Sequence, residues 1–126
     1  MSIRWASLVI DCKDIKAQGA WWAEALGWQV IYESDEEVEV APADKREPTL
    51  CFVSAPDGHT VKNRVHIDLA PRAGESQADE VNRLIGLGAS HADVGQAPTA
   101  TWVVLADPEG NEFCVLSPRD PASETS

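Results

Sequence analysis

Six polar side chains, Ser7, Cys51, His66, Asp68, Glu112 and Cys114, fall at alternate positions along four strand-like runs, and their types can hold a ligand, move a proton or bind a metal. A strand points successive residues to opposite faces, so residues two apart share a face. His66 and Asp68 are such a pair, as are Glu112 and Cys114. If these strands lie in one curved sheet, the six share a cavity. A carboxylate taken out of water without a partner costs several kcal/mol, so a cavity lined by Asp68 and Glu112 must be wet, metal-bound or filled by a polar ligand. Trp5 and Trp102 add aromatic surface beside them. Trp5, Ser7, Cys51, His66, Asp68, Trp102, Glu112 and Cys114 are therefore the expected ligand-binding set. The alternative, a merely solvated polar face, stays open at this point.

The elements that must position these residues are legible in pattern. Residues 4–12 are rich in β-branched and aromatic types and read as a strand. Asp14 can cap a helix over residues 15–26, where Ile15, Trp22, Ala25 and Leu26 recur at helical spacing and Gly27 supplies a left-handed end. Strands follow at 28–33, 36–41 and 48–54, with a polar loop at 42–47. After a linker at 55–63 the order repeats. It runs as a strand at 64–70, a helix at 75–87 with Ala78, Val81, Leu84 and Ile85 on one face, then strands at 90–94, 100–106 and 112–117. Leu26-Gly27 matches Leu87-Gly88, and Leu50-Cys51-Phe52-Val53-Ser54 matches Phe113-Cys114-Val115-Leu116-Ser117.

The predicted fold class is α+β: two βαβββ modules, about residues 3–54 and 64–118, forming a curved mixed sheet (a cup or half-barrel) with the helices outside. Together they make one domain over 1–118, and residues 119–126 read as a flexible tail. Leu8, Ile10, Leu50, Phe52, Val65, Ile67, Leu69, Phe113 and Val115 form the apolar face that should cover the helices. The last two strands join through Asp107-Pro108-Glu109-Gly110-Asn111, in which Pro fixes φ and Gly110 suits a left-handed residue.

Composition narrows the function classes. A net charge of −11, with ten scattered basic residues, repels phosphate backbones and anionic membranes, so neither nucleic acid nor membrane is an expected partner. No apolar run approaches the ~20 residues that span a bilayer. Three cysteines without a CxxC pair, and no long apolar run at the N-terminus, suggest a reduced, cytoplasmic setting. Glu33, Asp35, Glu36, Glu37 and Glu39 crowd one hairpin, read as a solvated strand edge in preference to a cation site. His59 and His91 have no visible partner and are given no role.

The paired modules, the helix ending Trp22-Ala23-Glu24-Ala25-Leu26-Gly27-Trp28 and the Asp-Pro-Glu-Gly-Asn turn resemble the vicinal oxygen chelate superfamily of glyoxalases, bleomycin-resistance proteins and extradiol dioxygenases. Val61-Lys62-Asn63-Arg64-Val65-His66-Ile67-Asp68-Leu69 is similar to its glyoxalase-like branch. The resemblance implies metal-ligand positions on the first and last strands of each module, which fall on Ser7, Cys51, His66 and Cys114. Only His66 keeps an ordinary ligand type there. Cys51, Cys114 and His66 would suit zinc, whereas Glu112, one pleat from Cys114, would give a His66 and Glu112 metal pair. Buried cysteine acting as a small apolar residue is the blander reading of all three.

Two functions follow from the resemblance. One is a small-molecule-binding protein, like the bleomycin-resistance members, using the cup without the usual catalytic metal. The other is a metal-dependent glyoxalase-like lyase or isomerase that shifts a proton next to a carbonyl, with Glu112 as general base and His66 as metal ligand or electrophile. The cofactor is accordingly either none or a divalent metal. The partner is a small-molecule ligand, and the resemblance also implies a homodimer as one arrangement.

Overall fold

The computed structural model describes residues 2, 4–55, 61, 63 and 65–118, so the expectations for His59 and for a flexible tail lie outside the described residues. Two compact units divide near residue 58, and each is a βαβββ module.

In the first, strand β1 (Ser7–Cys12) leads into helix α1 (Ile15–Leu26). The helix starts where Asp14 accepts a hydrogen bond from Ala17 N at 3.1 Å and ends at Gly27, whose φ of 68° lets Trp28 N reach back to Ala23 O at 2.8 Å. Ile15, Gln18, Gly19, Trp22, Ala23 and Ala25 form its buried face. Gly19 permits a close approach: a Cβ there would stand 2.5 Å from Val38 Cγ1. Strands β2 (Gln29–Glu33), β3 (Glu37–Ala41) and β4 (Thr49–Ser54) complete a four-stranded sheet in the order β1-β4-β3-β2, with β1 and β4 parallel. Val38, Val40 and Phe52 are fully buried where α1 packs on the sheet.

In the second module, β5 (Ile67–Leu69), α2 (Gln77–Leu87), β6 (Ser90–His91), β7 (Val103–Ala106) and β8 (Glu112–Val115) repeat the plan. The order β5-β8-β7-β6 reproduces that of the first sheet, with β5 and β8 parallel. Ser76 caps α2 by accepting from Asp79 N at 3.0 Å, and Asp79 and Glu80 complement the positive end of its dipole. Gln77 Nε2 donates to Thr101 O at 2.9 Å and to Val115 O at 3.0 Å, fixing the start of the helix against the segment before β7 and the end of β8.

The α+β class and the paired modules hold, with the eight strands hydrogen-bonded as two four-stranded mixed sheets. Several boundaries move. β5 is three residues long, because its register pairs Ile67 with Phe113 and a longer strand would run opposite the turn at Asn111. Val65, expected in the core, is therefore 70% exposed. β6 stops at His91, as the chain turns through Gly95 at φ 84°, and β7 starts only at Val103. On α2, Val81 and Leu84 are buried but Ala78 and Ile85 are exposed, a narrower apolar stripe than expected. Glu37 and Glu39 also depart from the expected solvated edge. They lie half-buried on β3, an inner strand, whereas Glu33, Asp35 and Glu36 are exposed.

Candidate functional site

Registers make the two modules comparable residue by residue. Val9 pairs with Cys51 in the first sheet as Asp68 pairs with Cys114 in the second, so Ser7 and His66, two residues before each, occupy equivalent places. Glu39 pairs with Cys51 as Val104 pairs with Cys114. The same pleated position is acidic in one module and apolar in the other.

The second module has a pocket of about 390 Å³. His66, Asp68, Asn63, Gln96, Glu112 and Cys114 supply its polar groups, and Val94, Trp102, Val104 and Leu116 its apolar wall. His66 Nε2 stands 3.0 Å from Asp68 Oδ1. The Glu112 carboxylate accepts from Asn63 N, at 3.3 and 3.4 Å to its two oxygens, while Asn63 Nδ2 donates to Glu112 O at 3.4 Å. Gln96 shapes the far lip: its Oε1 accepts from Val94 N at 2.9 Å and its Nε2 donates to Ala92 O at 3.4 Å. Trp102, 41% exposed, borders the same pocket. Among the described residues, His66, Asp68 and Cys114 form a group whose ligand atoms all lie within 4.8 Å of one another.

Five of the eight expected ligand-binding residues, His66, Asp68, Trp102, Glu112 and Cys114, line this one pocket. Trp5, Ser7 and Cys51 belong to the first module. Trp5 is 65% exposed, with Nε1 donating to Ser7 O at 3.2 Å. Cys51 Sγ donates to Glu37 Oε2 at 3.5 Å, and Thr49 Oγ1 to Glu39 Oε2 at 2.8 Å. Asn63, Gln96, Val94 and Val104 were not anticipated. Val104 was within reach of strand alternation from Trp102, but Asn63 and Gln96 sit in loops, where no periodicity marks them.

Burial, reinforced by the hydrogen bond to Glu37 and the nearby carboxylate charges, pushes the Cys51 thiol up to about 11. Since the thiolate is the nucleophile, alkylation of Cys51 in native protein is expected to be negligible at about pH 8 and to rise only as pH approaches the raised value. Mass spectrometry after iodoacetamide treatment reads this directly. Labelling as fast as in the denatured chain would contradict it.

The sequence matches the glyoxalase-like domain family over residues 7–116. The chain belongs to that family, within the vicinal oxygen chelate superfamily. Among solved structures, this glyoxalase-like protein is similar to a glyoxalase/bleomycin resistance protein/dioxygenase family enzyme from Burkholderia phytofirmans PsJN, at 20% identity and a TM-score of 0.70, covering 90% of this chain and 97% of that one. It is similar at 16% identity and a TM-score of 0.70 to the fosfomycin resistance protein FosX from Listeria monocytogenes, solved with Mn(II) and sulfate, over 94% of this chain and 92% of that one. A glyoxalase-related enzyme from Fulvimarina pelagi matches at 16% identity and a TM-score of 0.63, covering 89% and 86% of the two chains. Identities this low establish a shared fold. No curated protein is similar enough in sequence to count as a match. No helix among the described residues is long and apolar enough to cross a membrane.

Proposed function

We propose that this protein binds a small polar or cationic molecule in the pocket of its second module, as a glyoxalase-like binding protein without the superfamily's usual catalytic metal set. The supporting observation is the convergence of Asp68, Glu112, Asn63 and Gln96 on a pocket whose apolar wall includes the half-exposed Trp102. Few polar groups on an apolar lining, in a volume of this size, is the usual composition of a small-molecule site. Two carboxylates beside an indole favour a cation, held by charge and by the ring's negative face. We read residues 1–118 as one domain, supported by a family match that runs through both modules. None of the three cysteines forms a disulfide, which fits a reducing, cytoplasmic setting.

The test is a calorimetric screen of small amines, aromatic cations and polar anions against untagged protein, repeated with Trp102→Ala and Glu112→Gln. A cationic ligand should bind the wild type and lose about tenfold or more in affinity, at least ~1.4 kcal/mol, in either variant. Binding of no class at millimolar concentration, or binding unaffected by both changes, would sink the proposal. The convergence of His66, Asp68 and Cys114 favours a second reading, a metal-dependent lyase or isomerase with Glu112 as the base beside a bound carbonyl substrate. Turnover lost in Glu112→Gln while ligand affinity is kept would select it.

A further inference from the structure

We propose that the pocket's ligand is an elongated protonated amine, its ammonium group held by Asp68 and Glu112 and its apolar body lying along Val104 and Leu116 to end on Trp102. This rests on the reading of the pocket as a cation site and narrows it to one chemical class.

The strand register separates polar from apolar. In the second sheet, ordered β5-β8-β7-β6, Asp68 pairs with Cys114 and Cys114 with Val104, so these three form one row across β5, β8 and β7. To one side of that row lie Glu112, at the start of β8, and His66, one pleat before Asp68. Asn63 joins this end through its hydrogen bonds to Glu112. To the other side lies Leu116, just past β8, whose N–H donates to Leu69 O at 2.7 Å and carries the parallel pairing onward. Because β7 runs antiparallel to β8 with Val103 opposite Val115, Trp102, one residue before β7, comes to that same end. Glu112, Asp68, Val104, Leu116 and Trp102 all line the pocket. From Glu112 to Leu116 is a span of about 13 Å, at ~3.3 Å per residue. A compact cation that meets the carboxylates falls short of the indole, so one molecule uses both anchors only if its length approaches that span.

The two ends also differ in what they can hold. Among the described residues no Lys or Arg lines the pocket, so the end with Asp68 and Glu112 suits a positive head. A hydrogen bond with ionised partners is roughly twice as strong as a neutral one, which favours an ammonium bearing N–H donors. A quaternary ammonium is held instead by a cage of aromatic rings, and among the described residues Trp102 alone lines the pocket as an aromatic, at the far end. A hard metal cation is poorly served, because the positions the resemblance implies for one carry Ser7, Cys51, His66 and Cys114. The first module lacks the apolar end: Glu39 stands there where Val104 stands in the second.

Untagged protein titrated calorimetrically with straight-chain primary amines from butylamine to octylamine should gain up to about fourfold in affinity per added methylene, the gain from burying one more CH₂. Octyltrimethylammonium, octanol and octanoate should each bind at least tenfold more weakly than octylamine. The variants should divide by pocket end. Glu112→Gln and Asp68→Asn should weaken butylamine and octylamine by the same factor, whereas Trp102→Ala and Leu116→Ala should weaken octylamine by tenfold or more and leave butylamine within twofold. Asp68 and Trp102 are exposed, so one variant at each end leaves the fold intact. Affinity flat across the series, or Trp102→Ala weakening butylamine as much as octylamine, would overturn the elongated ligand while leaving a compact cation in the pocket. Octyltrimethylammonium binding as tightly as octylamine would overturn the N–H-bearing head. Binding of no compound of any class would overturn both this proposal and the reading it rests on.

Discussion

Trp22→Ala is expected to lower the unfolding free energy by about 3–5 kcal/mol, the range for truncating a fully buried tryptophan. Trp22 is 1% exposed and is the largest side chain on the buried face of α1, which packs on β3, β2 and β4. Trp21 meets it edge-on, with ring centroids 5.1 Å apart and planes at 80°, so the cavity left by alanine would be walled on the helix side as well. The helix cannot sink to fill that space, because Gly19 already brings its backbone against Val38. Small domains carry about 5–15 kcal/mol in all, so this one change removes a large share. A urea titration followed by circular dichroism reads the loss as a lower midpoint, with Trp102→Ala as the comparison. Trp102 is 41% exposed and should change stability far less. A Trp22→Ala loss below about 1 kcal/mol would contradict the packing described for α1.

The contrast between these two tryptophans shows what the sequence could reveal. Trp22 recurs with Ile15 and Ala25 at helical spacing, which identifies a core position without a structure. Alternation likewise placed His66, Asp68, Glu112 and Cys114 on one face, because a strand's pleat is a local property of the chain. The repeat of βαβββ was legible for the same reason: each module announces its helix end with Leu-Gly. Strand length is not local. Val65, Ile67 and Leu69 alternate as a longer strand would, yet only Ile67, Asp68 and Leu69 pair with β8, and in that register Val65 would fall opposite Asn111, outside the strand. The inner place of Glu37 and Glu39 was hidden too, since the order β1-β4-β3-β2 depends on which strands pair across the sheet. Asn63 and Gln96 enter the pocket through backbone hydrogen bonds of loops, where side-chain type carries almost no positional signal.

The turn between β7 and β8 controls that register, and Asp107→Ala is expected to cost about 2–3 kcal/mol, in line with the value of hydrogen bonds to a charged acceptor. Asp107 is 3% exposed. Its Oδ1 accepts from Glu109 N at 3.0 Å and Asn111 N at 2.9 Å, and its Oδ2 from Asn111 Nδ2 at 3.2 Å. Gly110 N donates to Asp107 O and Asp107 N to Asn111 O, both at 2.9 Å, with Gly110 at φ 88°. Pro108 at the second position of the turn and the left-handed Gly110 close the hairpin loop, and the carboxylate holds the inner amides in place. Alanine leaves those amides without their acceptor. Asparagine keeps one oxygen for the two backbone donors, so Asp107→Asn should lose less than half as much. The register fixed here pairs Ala106 with Glu112 and Val104 with Cys114. A slip of one residue would turn Glu112 and Cys114 to the opposite face, away from Asn63 and Asp68. Denaturant midpoints test the energetic part, and amide exchange across β7 and β8 tests the structural part, with faster exchange expected at Phe113 and Leu105 in Asp107→Ala. A midpoint within about 0.5 kcal/mol of wild type would show that Pro108 and Gly110 close the turn unaided.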